Sequence, residues 1–88
     1  MSSLAILILT KNEEENIVSV VRNAKACTDE VIIVDSGSTD HTVELAKQEG
    51  AVVYFRAWDD DFSAQRNFAL EKTQADWVLY LDADERLN

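Results

Sequence analysis

The sequence predicts an α/β domain: a mostly parallel four-stranded sheet with crossover helices on both faces. Two observations carry this. Four short apolar runs recur at residues 4–9, 31–34, 51–55 and 77–81, and none alternates with polar residues, as expected of strands covered on both sides. The stretches between them are long enough for helices, and strand–helix alternation of this kind favours right-handed crossovers and a parallel sheet.

Each element has its own local signal. The first run, Leu4-Ala-Ile-Leu-Ile-Leu9, is followed by apolar residues Ile17, Val20, Val21, Ala24 and Cys27 at helical spacing. A helix over residues 13–27 is predicted, with Asn12 as its cap and Glu13, Glu14 and Glu15 in the first turn. After Val31-Ile-Ile-Val34, a second helix is expected over about residues 40–49, with Val43 and Ala46 on one face. Gly50 suits a left-handed stop there. The third helix, about residues 61–73, has a blurred apolar stripe and precedes Trp77-Val-Leu-Tyr-Leu81. All four strands read as interior strands of one domain spanning residues 1–88.

The charge excludes whole classes of partner. A formal net charge of -9 repels nucleic acid and anionic membrane surfaces. An acidic protein that binds a small anion needs a cation between the ligand and its own carboxylates. The apolar run at residues 4–9 is too short to span a bilayer, so no stable membrane insertion is expected. The single cysteine, Cys27, points to a reducing compartment, and the cytoplasm is the expected location.

In a sheet of this kind ligands gather beyond the carboxyl ends of the strands, where the winding reverses. The first such end reads Thr10-Lys11-Asn12-Glu13-Glu14, where a hydroxyl, an amide and helix-start N–H groups can hold the polar edge of a base or sugar. Asn12 reads equally well as a plain cap. The second reads Asp35-Ser36-Gly37-Ser38-Thr39-Asp40. Its leading carboxylate, Asp35, is placed to accept from a ring N–H or ribose hydroxyl, while Ser38 and Asp40 read as caps of the following helix. The last reads Leu81-Asp82-Ala83-Asp84-Glu85, three carboxylates whose mutual repulsion a hard divalent cation offsets. Oxygen ligands alone point to Mg²⁺ or Mn²⁺ acting together with a diphosphate; a solvated acidic turn is the plainer alternative.

Other candidates are weaker. Asp59, Asp60 and Asp61 read as caps ahead of a helix in preference to a second metal cluster. His41 reads as solvated, Cys27 as a small apolar helix residue, and Trp58 and Trp77 as core or rim packing. Arg66 is either a phosphate-neutralising cation or a salt-bridge partner.

Four segments in this order, Thr10-Lys11-Asn12-Glu13-Glu14-Glu15-Asn16-Ile17, Val34-Asp35-Ser36-Gly37-Ser38-Thr39-Asp40-His41-Thr42, Gln65-Arg66-Asn67 and Leu81-Asp82-Ala83-Asp84-Glu85, resemble family 2 glycosyltransferases of the GT-A type. The resemblance covers essentially the whole chain, and it is nearest to the bacterial branch that adds sugars to the lipopolysaccharide core. It implies the Rossmann-like, nucleotide-binding half of the GT-A fold. It also implies that Thr10, Asn12, Asp35, Arg66 and Asp82 bind a nucleotide-diphospho-sugar and that Asp84 binds Mn²⁺ or Mg²⁺. Ser36 stands where many members carry a second acid. In the family the reaction inverts the anomeric carbon and the general base lies beyond the Asp-x-Asp motif, so donor binding with little or no transfer is expected of these residues. The strand ending in that motif is interior in the family, so the strand from Trp77 to Leu81 is expected to be an exposed edge prone to self-association.

Two other readings stay open. Phosphatases of the haloacid dehalogenase type also use Asp-x-Asp with Mg²⁺, but on an early strand followed by Thr or Val, whereas Glu85 and Arg86 follow here. A non-catalytic acidic α/β domain of receiver or adaptor type is the third.

Overall fold

The computed structural model describes residues 3–83. The elements alternate as β1 (Leu4–Thr10), α1 (Ile17–Lys25), β2 (Glu30–Asp35), α2 (Thr42–Gln48), β3 (Val52–Phe55), α3 (Phe62–Leu70) and β4 (Trp77–Asp82). All three strand pairings are parallel, and the order across the sheet is β3-β2-β1-β4. The predicted α/β class, strand number and order of elements are therefore observed.

The winding reverses once. From β1 the chain moves outward to β2 and β3, then returns past its starting point to add β4 on the other side of β1. Right-handed connections that travel in opposite directions must lie on opposite faces of a sheet, and the core divides accordingly. Ile17, Val20, Val21 and Ala24 of α1 and Ala46 of α2 pack on Ile6, Ile8, Val31 and Ile33. Ala69 of α3 packs on Leu7, Ile32 and Val34 from the other side. The alternation of side chains along each strand explains both sets: in register, Ile6 lies beside Val31 and Leu7 beside Ile32.

Only β1 and β2 are interior. β3 and β4 are the edges of the described sheet: β4 as expected of the strand from Trp77 to Leu81, β3 against its reading as an interior strand. Val52 and Phe55 of β3 and Trp77 of β4 are exposed. Unbroken apolar sequence reports helices above and below a strand, and these helices cover the two central strands most fully.

The helix ends follow the sequence unevenly. α2 closes as expected: Gly50 has φ 91°, its N–H bonds to Lys47 O at 3.0 Å, and Ala51 N–H bonds to Ala46 O at 3.1 Å. This is the paired closure that a left-handed residue allows. α3 starts as expected, with Asp61 accepting from Ala64 N–H at 2.9 Å, but it stops at Leu70, short of Thr73.

α1 departs most. It begins at Ile17, after a turn in which Glu13 O accepts from Asn16 N–H at 2.9 Å and Ile17 N–H at 2.8 Å. Asn12 is not its cap and has φ 54°, a conformation Asn tolerates better than most residues. Long-range bonds to the β2–α2 loop hold it there, and they override the local helix signal.

A core this small depends on its central strands. Replacing Ile33, which is fully buried, by Ala is expected to cost about 2–5 kcal/mol. The same change at exposed Val52 is expected to stay within about 0.5 kcal/mol. Urea unfolding followed by circular dichroism measures both.

Candidate functional site

The parallel register sets Thr10 beside Asp35 at the carboxyl ends of β1 and β2, and the two side chains meet. Thr10 Oγ1 donates to Asp35 Oδ1 at 2.7 Å. Asp35 Oδ1 also accepts from the Ser38 hydroxyl, and Oδ2 accepts from Gly37 N–H at 3.0 Å and Ser38 N–H at 2.8 Å. An ionised carboxylate has about four acceptor positions, and this one, only 3% exposed, uses all four within its own chain. Burial alone would raise its pKa; the bonds from Ser38, Thr10 and Gly37 outweigh that and hold it below the ordinary carboxylate value.

The loop so anchored grips the one before it. Asn12 N–H donates to Ser38 Oγ at 2.8 Å, Glu13 N–H to Thr42 Oγ1 at 2.8 Å and Glu14 N–H to Asp40 Oδ2 at 3.3 Å. Asn12 Oδ1 accepts from Thr39 N–H at 2.8 Å. The backbone donors expected to face a ligand are thus engaged by the second loop. Asp40 precedes the α2 N-cap, which is His41, and accepts from Thr42 N–H at 2.9 Å, whereas Ser38 joins the two loops instead of capping a helix. His41 is solvated as expected, with Nδ1 3.0 Å from Glu14 Oε2. Its bond to that carboxylate raises its pKa.

Above these strand ends lies a groove of about 470 Å³ lined by Leu9, Thr10, Lys11, Glu13, Ser36, Trp58, Phe62 and Gln65. A second, of about 210 Å³, is lined by residues including Leu9, Phe62, Arg66, Tyr80 and Asp82. Leu9 and Phe62 line both, so the two adjoin. The smaller one sits where β1 pairs with β4, Leu9 in register with Asp82, which is where the winding reverses.

The site residues expected from sequence distribute along this surface. Thr10 lines the large groove, and Arg66 and Asp82 line the small one. Asp35 lies behind Thr10, and Asn12 lies at the loop junction, so these two shape the site from outside its lining. Asp84, the expected metal ligand, lies outside the described residues. Arg66 places its guanidinium carbon 4.3 Å from the centroid of the Tyr80 ring, a cation–π contact. The Tyr80 hydroxyl is buried with no hydrogen-bond partner among the described residues.

Asp59, Asp60 and Asp61 do not converge. Asp59 pairs with Arg56 at 3.0 Å, Asp60 accepts from Trp58 Nε1 at 2.9 Å and Asp61 caps α3. Among the described residues no group of three or more His, Cys, Asp or Glu side chains could hold a metal ion. Mg²⁺ and Mn²⁺ nevertheless need only one or two protein carboxylates when a ligand's phosphates and water complete the shell. An exposed carboxylate at Asp82, on the groove, fits that requirement by donor type.

Sequence reasoning missed the aromatic side of the site. Trp58 and Phe62 line the large groove and are exposed, not packed in the core or at its rim. The available signal was that both flank the acidic run 59–61, where no apolar partners stand at core spacing. Gln65, 1% exposed, carries no local signal of burial beyond its place in the Gln65-Arg66-Asn67 segment. Its side chain takes Arg56 Nη1 at 2.8 Å and donates to Arg56 O at 3.2 Å, bracing the loop that carries Trp58.

Comparison with known proteins agrees with this fold. The sequence model of "Glycosyl transferase family 2" matches residues 5–88. An uncharacterized glycosyltransferase of Rickettsia typhi is 44% identical over 88 residues, covering 100% of this chain and 30% of that protein. The SPbeta prophage-derived glycosyltransferase SunS of Bacillus subtilis is 33% identical over 79 residues, 88% of this chain and 19% of that protein. Among solved structures, glucosyl-3-phosphoglycerate synthase from Mycobacterium tuberculosis, in complex with Mn²⁺, uridine diphosphate and glucosyl-3-phosphoglycerate, superposes with a TM-score of 0.82 at 28% identity, covering 94% of this chain and 34% of that chain. The chain thus spans about a third or less of the length of these relatives. A match over nearly all of its residues, on a sheet with the same plan, establishes that this chain belongs to glycosyl transferase family 2.

Proposed function

We propose that these residues form the donor-binding region of a metal-dependent inverting glycosyltransferase, holding a nucleotide-diphospho-sugar along the adjoining grooves. One observation carries the reading: Thr10 and Asp82, at the tips of neighbouring strands, open with Arg66 onto adjoining grooves at the reversal point of the sheet. The mycobacterial synthase, similar in fold, was crystallised with uridine diphosphate and Mn²⁺, and with uridine diphosphate and Mg²⁺.

In this reading Thr10 borders the nucleoside, and Asn12 and Asp35 act through the loop shape they fix. Arg66 neutralises phosphate charge that the acidic chain would otherwise repel. Asp82 supports the ribose and Asp84 the metal. Bound Mn²⁺ or Mg²⁺ supplies Lewis-acid stabilisation of the departing diphosphate. Acceptor binding and deprotonation are assigned to no residue here, so donor binding with little or no transfer is the expected behaviour. The lipopolysaccharide core or another cell-envelope glycan is the acceptor this reading favours, on the likeness of the four sequence segments. A cytoplasmic location accompanies it, supported by the lone Cys27. The phosphatase and receiver readings gain nothing from the site.

The nucleotide assignment predicts that NMR titration with UDP shifts the amides of Thr10, Asp35 and Asp82 only when Mn²⁺ or Mg²⁺ is present. Equal shifts without metal remove the role given to Asp84.

Asp35 predicts a pH dependence. Its folded pKa is depressed, so its stabilisation is complete above the unfolded value of about 3.9 and is lost as pH falls through the folded value. Asp35→Asn sets an amide against donors that need acceptors. It should cost about 1–3 kcal/mol at pH 7, and urea midpoints should show the gap from wild type shrinking below about pH 4.

We also propose self-association along β4, supported by Trp77, 65% exposed, and Leu79, 37% exposed, on an edge strand. Sedimentation velocity should show a coefficient that rises with concentration. A concentration-independent monomer removes the proposal.

A further inference from the structure

We propose that Trp58 and Phe62 form a stacking wall for the nucleobase, so that this end of the groove selects ligands carrying a planar heterocycle over a bare diphosphate. The inference rests on the donor-binding reading above and names the residues that would give it nucleotide specificity.

Three observations converge. The first is exposure: Trp58 is 44% and Phe62 55% exposed, yet both line the same concave surface. Large aromatic side chains left in water inside a groove gain burial only when a ligand covers them. The two rings meet edge to face, with centroids 6.3 Å apart and planes at 76°, so a base lying on the face of one ring meets the edge of the other.

The second is the bracing. The Trp58 indole donates its one N–H to Asp60 Oδ1 at 2.9 Å, so the ring offers a ligand its π surface and no unpaired polar group. Arg56 holds the loop at both ends, pairing with Asp59 at 3.0 Å and with the buried Gln65 at 2.8 Å. Asp61, next in the chain, caps α3 and sets Phe62 as its first residue. An aromatic wall on a braced loop loses little conformational freedom when it stacks.

The third is the order of chemistry along the surface. Phe62 lines both grooves. From it one direction leads to Arg66 and Asp82, a cation and a carboxylate suited to phosphate and metal; the other leads to Trp58, Thr10 and Ser36. A nucleoside diphosphate has the same two ends. Asp35, the acidic residue at the sheet tip nearest the large groove, spends its four acceptor positions on Thr10, Gly37 and Ser38. Recognition of the base by Asp35 is thereby removed, and stacking on Trp58 and Phe62 is a contact that the groove does supply.

The test compares UDP with pyrophosphate, each with Mn²⁺, by isothermal titration calorimetry on the 88-residue chain. UDP should bind more tightly than pyrophosphate. Trp58→Ala and Phe62→Ala should each weaken UDP roughly 5- to 150-fold, leave pyrophosphate unchanged, and Trp58→Phe should restore most of the loss. In a Trp77→Phe background Trp58 is the only indole, and UDP, but not pyrophosphate, should quench its fluorescence. UDP binding by wild type that survives both alanine changes, without quenching, overturns the stacking wall while leaving donor binding intact. Failure of wild type to bind either ligand overturns both.

Discussion

A carboxylate withdrawn from water has to be fully hydrogen-bonded or give up its charge, and the architecture of this site depends on how Asp35 meets that requirement. Its two oxygens gather the Thr10 hydroxyl from β1 and the Ser38 hydroxyl and two backbone N–H groups from the turn after β2. One buried charge thereby fixes the tip of one central strand against the loop leaving the other. Ser38, held by Asp35, in turn accepts from Asn12 N–H, and Thr39 and Thr42 extend the same grip along the first loop. The floor and one wall of the large groove are rigid because this network has few loose ends.

The opposite wall is built on different physics. Arg56, Asp59, Asp60, Asp61 and Gln65 tie an acidic loop to the start of α3 through ion pairs and hydrogen bonds. Most of these contacts are exposed, and exposed pairs contribute little to stability one by one. Their effect is directional: they present Trp58 and Phe62 to the groove. The wall lies on the loop before α3 and at the first residue of that helix, which among the described residues packs on the face opposite α1 and α2, so the reversal of winding that creates the crevice also supplies its aromatic side.

The relation to family members follows from this division. The described residues form a sheet of four strands with an apolar edge at β4, and relatives of the chain are about three or more times longer. Donor binding can be assembled from strand tips and the loops between them. Transfer also needs an acceptor surface and a base, and neither is assigned among these residues.

The sequence alone determined the fold class, the order of elements and the family. The first two follow from apolar runs, helical spacing and turn residues, which are local or nearly local signals; the family follows from the resemblance of four segments in order. The sequence pointed to Thr10 and Asp82 because a residue leaving a parallel strand has few other places to go, and to Arg66, which lies on α3, through the family resemblance. Tertiary structure decided the rest. Asn12 carries a good cap signal yet serves the second loop, since bonds to Ser38 and Thr39 outweigh a helix end that gains only about 1 kcal/mol from a cap. Asp35 looks like a ligand-facing acid, yet its acceptors are filled by groups 2, 3 and 25 residues away. Trp58 looks like packing, yet lies in a groove, because whether an aromatic ring is covered depends on where a distant helix falls, and no local pattern encodes that.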